Sequence, residues 1–260
     1  MLIKNRVWVF FLLFAVIFLV SACTTPLSSS TPDVVNTSAP TIVVNTSEPP
    51  VVATSNPSPF QNIGCDWQTE NYAVCAEDSI PKKMGCDTLS NVSDYINLLI
   101  PDGKFVSCTY DPQLQSPPDE SDAKGLYDSG CLHPVKQRLL AYQEGDYLLL
   151  RDLEDLKYNF APITTEDQAL GYVLAATGYQ AIFDLDSLQN FRILTDILKI
   201  TSVEPIDEGY QVIVFDYSGC GCGPHTTSRQ TVNVTTDGDI VIVDSTPAFE
   251  NPEEDNLCVE

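Results

Sequence analysis

The sequence predicts an α+β fold: a disulfide-stapled, cysteine-rich N-terminal part, followed by helices packed on an antiparallel β-meander. Three observations lead there. Eight cysteines follow Cys23 in a chain of 260 residues, an even set suited to pairing. One helix carries both its start and its stop signal between residues 165 and 178. Four strand-like runs joined by short turn sequences come after it.

Taken in order, the chain begins with Lys4 and Arg6, then an unbroken apolar run of 14 residues from Val7 to Val20. That run is short of the ~20 residues a bilayer core requires, so it reads as a secretory signal over residues 1–22. It ends in Leu19-Val20-Ser21-Ala22-Cys23, which resembles the lipobox of bacterial lipoproteins. In that family the signal is cut before the cysteine, whose thiol carries a diacylglycerol. The resemblance implies acylation at Cys23, a lipid bilayer as one partner, and a place on the extracytoplasmic face of a bacterial membrane. Two acyl chains are enough for stable anchoring, each buried CH2 contributing about 0.8 kcal/mol.

Residues 23–59 form an expected tether. Ser, Thr and Pro occupy 21 of the 36 positions from 24 to 59, and Asp33 and Glu48 are the only charges among them. Such a segment buries too little apolar surface to offset chain entropy. Extended at ~3.1 Å per residue, it would hold a folded part up to ~100 Å from the bilayer.

Cleavage before Cys23 removes two bases and takes the formal charge from −23 to −25. A field of that sign excludes nucleic acid and anionic lipid surfaces as partners held by charge alone. The remaining cysteines are Cys65, Cys75, Cys86, Cys108, Cys131, Cys220, Cys222 and Cys258. Five precede residue 140 and three follow 215, so complete pairing demands at least one bridge between the two halves. Eight cysteines allow 105 pairings, and spacing alone does not choose among them.

Residues 60–125 are rich in cysteines and turns. Ser93–Ile100 suits a short helix or strand, closed by the turn Pro101-Asp102-Gly103, and 111–125 is an acidic, proline-rich loop marking a boundary. An α+β domain is expected over 126–249. In it Gly145-Asp146 turns a hairpin, Asp152 caps a short helix ending near Phe160, and Thr165-Glu166-Asp167-Gln168 opens the clearest helix as a capping box. Ala169, Leu170, Val173 and Leu174 give that helix one apolar stripe, and Gly178 stops it. Residues 182–200 fit helix or strand.

Strands follow at Ile200–Ile206, Tyr210–Tyr217, Ser228–Thr235 and Asp239–Asp244, with turns at Asp207-Glu208-Gly209 and Asp237-Gly238. Ile240 to Val243, apolar on both faces, reads as a strand buried on both sides. The order of elements, with Gly209-Tyr210-Gln211-Val212 and then Thr235-Thr236-Asp237-Gly238, is similar to PepSY-type domains, which implies a helix laid over a meander. Residues 250–260 read as a loose acidic tail held only at Cys258.

Reactive groups concentrate in Gly219-Cys220-Gly221-Cys222-Gly223-Pro224-His225. With Cys131 and His133, Cys222 and His225 would make a tetrahedral set for Zn2+ or Cu2+, although an oxidising compartment favours disulfides. No other cofactor is expected. Nucleophile-elbow, zincin and phosphate-loop motifs are absent. Ser79-Ile80-Pro81-Lys82 matches a Ser-x-x-Lys pattern, but its companion motifs are missing and Pro81 argues against a helix there. Asp184 and Asp186 read as solvated surface, without the glutamate a calcium loop needs at Thr195. The leading expectation is an anchored module that binds an extracytoplasmic protein or peptide. The alternatives are a metal protein using the Cys/His set, or a carboxylate-based hydrolase.

Overall fold

In the cysteine-rich part Cys65–Thr69 and Thr88–Ser90 alternate apolar and polar residues, while Tyr72–Cys75 is apolar throughout, and both patterns suit short strands. The computed structural model describes Pro50, residues 59–114 and residues 123–260, all within one compact unit. The signal sequence, Cys23 and nearly all of the tether lie outside the described residues. Among the described residues no helix is long and apolar enough to cross a membrane.

Strands β1 (Cys65–Thr69), β2 (Tyr72–Cys75), β3 (Thr88–Ser90) and β4 (Lys104–Tyr110) form an antiparallel run. β6 (Val135–Gln143) pairs with β4, and the far edge of β6 is shared by β5 (Tyr127–Ser129) and β7 (Asp146–Leu150). This first sheet therefore draws strands from both sides of 111–125, and residue 125 does not bound a domain. The hairpin turn before β7 falls on Glu144 and Gly145, both with positive φ (52° and 100°), one residue earlier than the sequence suggests.

A short helix, α1 (Ile80–Lys83), lies between β2 and β3. Ser79 caps it, its hydroxyl accepting from the Lys82 amide at 3.2 Å. Pro81 fits in the first turn, where its missing N–H leaves no bond unmade, so the expectation of no helix here is corrected. Residues Asp94–Leu98 form a 3-10 turn capped by Ser93.

Helices α2 (Leu153–Phe160) and α3 (Glu166–Thr177) begin where the sequence places them. Asp152 accepts from the Asp155 amide and Thr165 from the Gln168 amide. Gly178 closes α3 in the left-handed region at φ 70°. Only half of the expected capping box forms, because the Gln168 side chain accepts from Thr164 N–H and donates to Phe160 and Pro162 carbonyls.

The second sheet has the order β8-β13-β12-β10-β9, from β9 (Ser202–Ile206), β10 (Gly209–Ser218), β12 (Thr226–Thr235), β13 (Ile240–Glu250) and the two-residue β8 (Arg192–Ile193). A small third ladder pairs β11 (Gly221–Cys222) with β14 (Cys258–Val259). The central core joins Phe105, Leu139 and Leu150 of the first sheet to Leu170 and Val173 of α3 and to Val212 and Val232 of the second. With a sheet on either side, α3 is buried at every residue from Gln168 to Ala176, so its one-stripe expectation is too narrow. The first sheet's outer face carries a separate core around Phe60, Leu89 and Leu140, and the second sheet's outer face another around Leu188, Phe215 and Phe249.

Three further expectations change. The ambiguous stretch 182–200 is neither helix nor long strand; it holds a 3-10 turn at Asp186–Leu188 and β8, and covers the outer core. Val241, Ile242 and Val243 are not buried on both faces but 58, 48 and 49% exposed, because β8 pairs only with Phe249 and Glu250 and leaves the rest of β13 as an edge. The last eleven residues are not loose. Asn251 caps the 3-10 turn Pro252–Glu254, Arg192 bridges Glu250 and Asp255, and β14 lies on β11.

All eight cysteines are bridged: Cys65–Cys75, Cys86–Cys108, Cys131–Cys220 and Cys222–Cys258. Cys131–Cys220 is the bridge between the halves that the odd counts demand.

Candidate functional site

The glycine-cysteine loop is built as a clamp. Gly221, at φ 89°, lets the chain reverse after β10 so that β11 can lie on β14. Gly223 passes directly against the Glu254 carbonyl, where a side chain has no room. His225 follows, 2% exposed. Its Nε2 lies 3.2 Å from the Gly221 carbonyl and its Nδ1 3.2 Å from the Tyr217 hydroxyl. Tyr217 donates to Glu254 Oε2 at 2.7 Å, and that oxygen is 3.4 Å from His225 Nδ1. The Tyr217 hydrogen bond, joined by Asn251 and His225, holds the Glu254 carboxyl below the usual carboxylate range. Burial, then Glu254, pushes the Tyr217 phenol up.

The four residues expected to hold a metal are not assembled for it. Cys131 and Cys222 are bonded to Cys220 and Cys258, and a bridged sulfur has no thiolate to offer. Both nitrogens of His225 face protein partners, while His133 is exposed in the loop after β5. Among the described residues no group of three His, Cys, Asp or Glu side chains is placed to hold a metal. Asp184 is engaged locally, accepting from the Asp186 amide at 2.8 Å. Ser79 is buried as a helix cap and Lys82 is paired with Asp87 at 2.6 Å, so the Ser-x-x-Lys pattern is structural.

Two cavities flank the segment that follows Gly178. The larger, about 550 Å³, exists because α3 stops while the inner face of the first sheet continues beyond it. There the sheet presents polar residues in place of Phe105, Leu139 and Ala141. Gln137 is the hub: its carbonyl accepts from Ser107 at 2.7 Å and Thr109 at 3.2 Å, and its amide donates to Ser129 at 2.7 Å. Register brings them together, since Thr109 and Tyr127 pair with Gln137 from opposite sides. Burial pushes the Tyr127 phenol up, which keeps it a neutral hydrogen-bonding group. Among the described residues that line this cavity there is no carboxylate, histidine or free thiol. Its size falls within the ~300–1,000 Å³ of small-molecule sites.

The smaller cavity, about 310 Å³, is lined by Phe191, Phe249, Tyr217 and Glu254, with the aliphatic Ile182 and Leu188 and uncharged polar residues completing its walls. Gln180 lines both cavities, and its backbone is fixed between them by paired hydrogen bonds to Phe215 at 2.8 and 2.9 Å.

Sequence reasoning found the cysteines and His225 but missed Gln137, Ser107, Tyr217 and Glu254. One signal was present: Ser107 interrupts the apolar run of Lys104–Tyr110 and is nevertheless buried. A buried hydroxyl requires a partner, and Gln137 supplies it from β6, diagonally across from Ser107. No protein-family model matches the chain, and no curated protein and no solved structure matches it.

Proposed function

We propose that the chain is a lipoprotein of the extracytoplasmic face of a bacterial membrane, acylated at Cys23, whose tethered domain binds a polar ligand. The cysteine count carries this reading. Nine cysteines are present, four bridges account for eight of them, and the ninth is Cys23, at the position where a lipobox puts the acylated residue. Four bridges also suit an oxidising compartment. The larger cavity is the binding site in this reading. Its walls offer hydroxyl and amide groups of both senses and no carboxylate, and the cation among them, Arg138, is engaged with the Lys124 and Gly85 carbonyls, so the set complements a neutral peptide backbone. The metal reading is set aside because its sulfurs are bridged.

The test is growth with an alkyne-tagged fatty acid, followed by coupling of a fluorophore and fractionation. The native chain is expected to be labelled and to sediment with membranes, and Cys23→Ser to be unlabelled and soluble. Label retained on Cys23→Ser overturns the assignment.

A further inference from the structure

We propose that the 310 Å³ cavity beside β10 and β13 is a binding site for a small organic ammonium ion. Three features of the cavity point to that chemistry. First, it is walled by aromatic rings. Phe191 and Phe249 meet edge-to-face, 5.2 Å apart at 84°, and Tyr217 stands at the rim with its hydroxyl turned to Glu254. Such rings attract a cation through the negative charge of their faces. Second, the cavity holds one acid, Glu254, kept ionised by the hydrogen bonds from Tyr217 and Asn251. His225 Nδ1 lies 3.4 Å from its Oε2, and the nearby Arg192 is spent on Glu250 and Asp255. Third, the remaining walls set Ile182 and Leu188 beside the rings and add only uncharged polar side chains, those of Gln180, Ser187, Thr227 and Asn251. With one carboxylate in its walls the cavity offers a divalent metal ion too little counter-charge for the water it would shed, whereas an alkylammonium ion needs a single counter-charge and brings apolar surface of its own. The volume lies at the small end of the range for ligand sites, and the protein's formal charge of −23 draws cations toward it.

The proposal is independent of acylation and of the larger cavity. Its test is calorimetric titration of the disulfide-intact protein with choline and, separately, with 3,3-dimethylbutan-1-ol, which has the same shape without the charge. Choline is expected to bind one to one, at least about 10-fold tighter than the alcohol. Glu254→Gln is expected to remove that preference while leaving the alcohol unchanged. Phe191→Leu, which leaves the Glu254 cluster intact, is expected to weaken choline alone and serves if Glu254→Gln does not fold. Equal affinity for the two probes, no saturable binding of choline, or a preference that survives the substitutions overturns the assignment.

Discussion

Asp152 accepts from the Asp155 amide with one carboxylate oxygen and from Lys124 with the other, at 2.9 and 2.6 Å. The Lys124 hydrogen bond leads in holding its carboxyl below the ordinary value of 3.8. The unfolded chain therefore takes up this proton first as pH falls. The stabilisation is complete above the ordinary value and is lost as pH drops through the lower folded one. Asp152→Asn keeps a good cap but loses the charge. It should cost no more than about 1 kcal/mol near neutrality, since Lys124 is well exposed. It should also flatten the fall of melting temperature below about pH 4. An acid limb identical to that of the native protein would refute this. The cap itself is legible in the sequence because Asp152 and Asp155 are neighbours, and the same holds for Thr165 and Gly178. Lys124 is not legible, nor is Glu254 beside Tyr217, because those partners meet only through the tertiary fold.

Helix α3 lies so close to the 3-10 turn at Asp94–Leu98 that a methyl group on Gly171 would stand 2.9 Å from the Tyr95 carbonyl and 3.3 Å from the Leu99 amide. In an exposed helix Gly→Ala would stabilise by up to about 1 kcal/mol. Here crowding against fixed backbone outweighs that, and Gly171→Ala should destabilise by about 1–3 kcal/mol in urea unfolding. A more stable variant would show that the turn yields. The helix is readable from its ends, but burial on all sides is not, because only the β6–β7 hairpin of the covering sheet is legible and the part that forms β1 to β4 reads as cysteine-rich turns. Strand β13 shows the converse: its apolar run reads as buried on both sides, yet Val241, Ile242 and Val243 are exposed, and β8 is too short to flank them.

Across the whole molecule, Cys131–Cys220 ties the loop after β5 in the first sheet to the loop after β10 in the second, closing 89 residues of chain. Loop entropy puts its contribution at about 4.6 kcal/mol, against about 2.7 kcal/mol for Cys65–Cys75 with a separation of 10. Replacing both members by Ala should therefore cost more at the first bridge than at the second in denaturant unfolding. The reverse order would contradict it. Counting cysteines showed that some bridge had to join the halves, though not which one, and it gave no hint that β4 and β6 pair across residues 111–125. The pairing has one more property. Among the described residues, read from Cys65 onward, every cysteine is bonded to its immediate neighbour in the series: first to second, third to fourth, fifth to sixth, seventh to eighth. A polypeptide threaded N-terminus first through a translocation channel, oxidised as each new thiol appears, reaches the native set with no bond to undo. Of 105 connectivities this one needs no disulfide isomerase, only an oxidant that works in order of arrival.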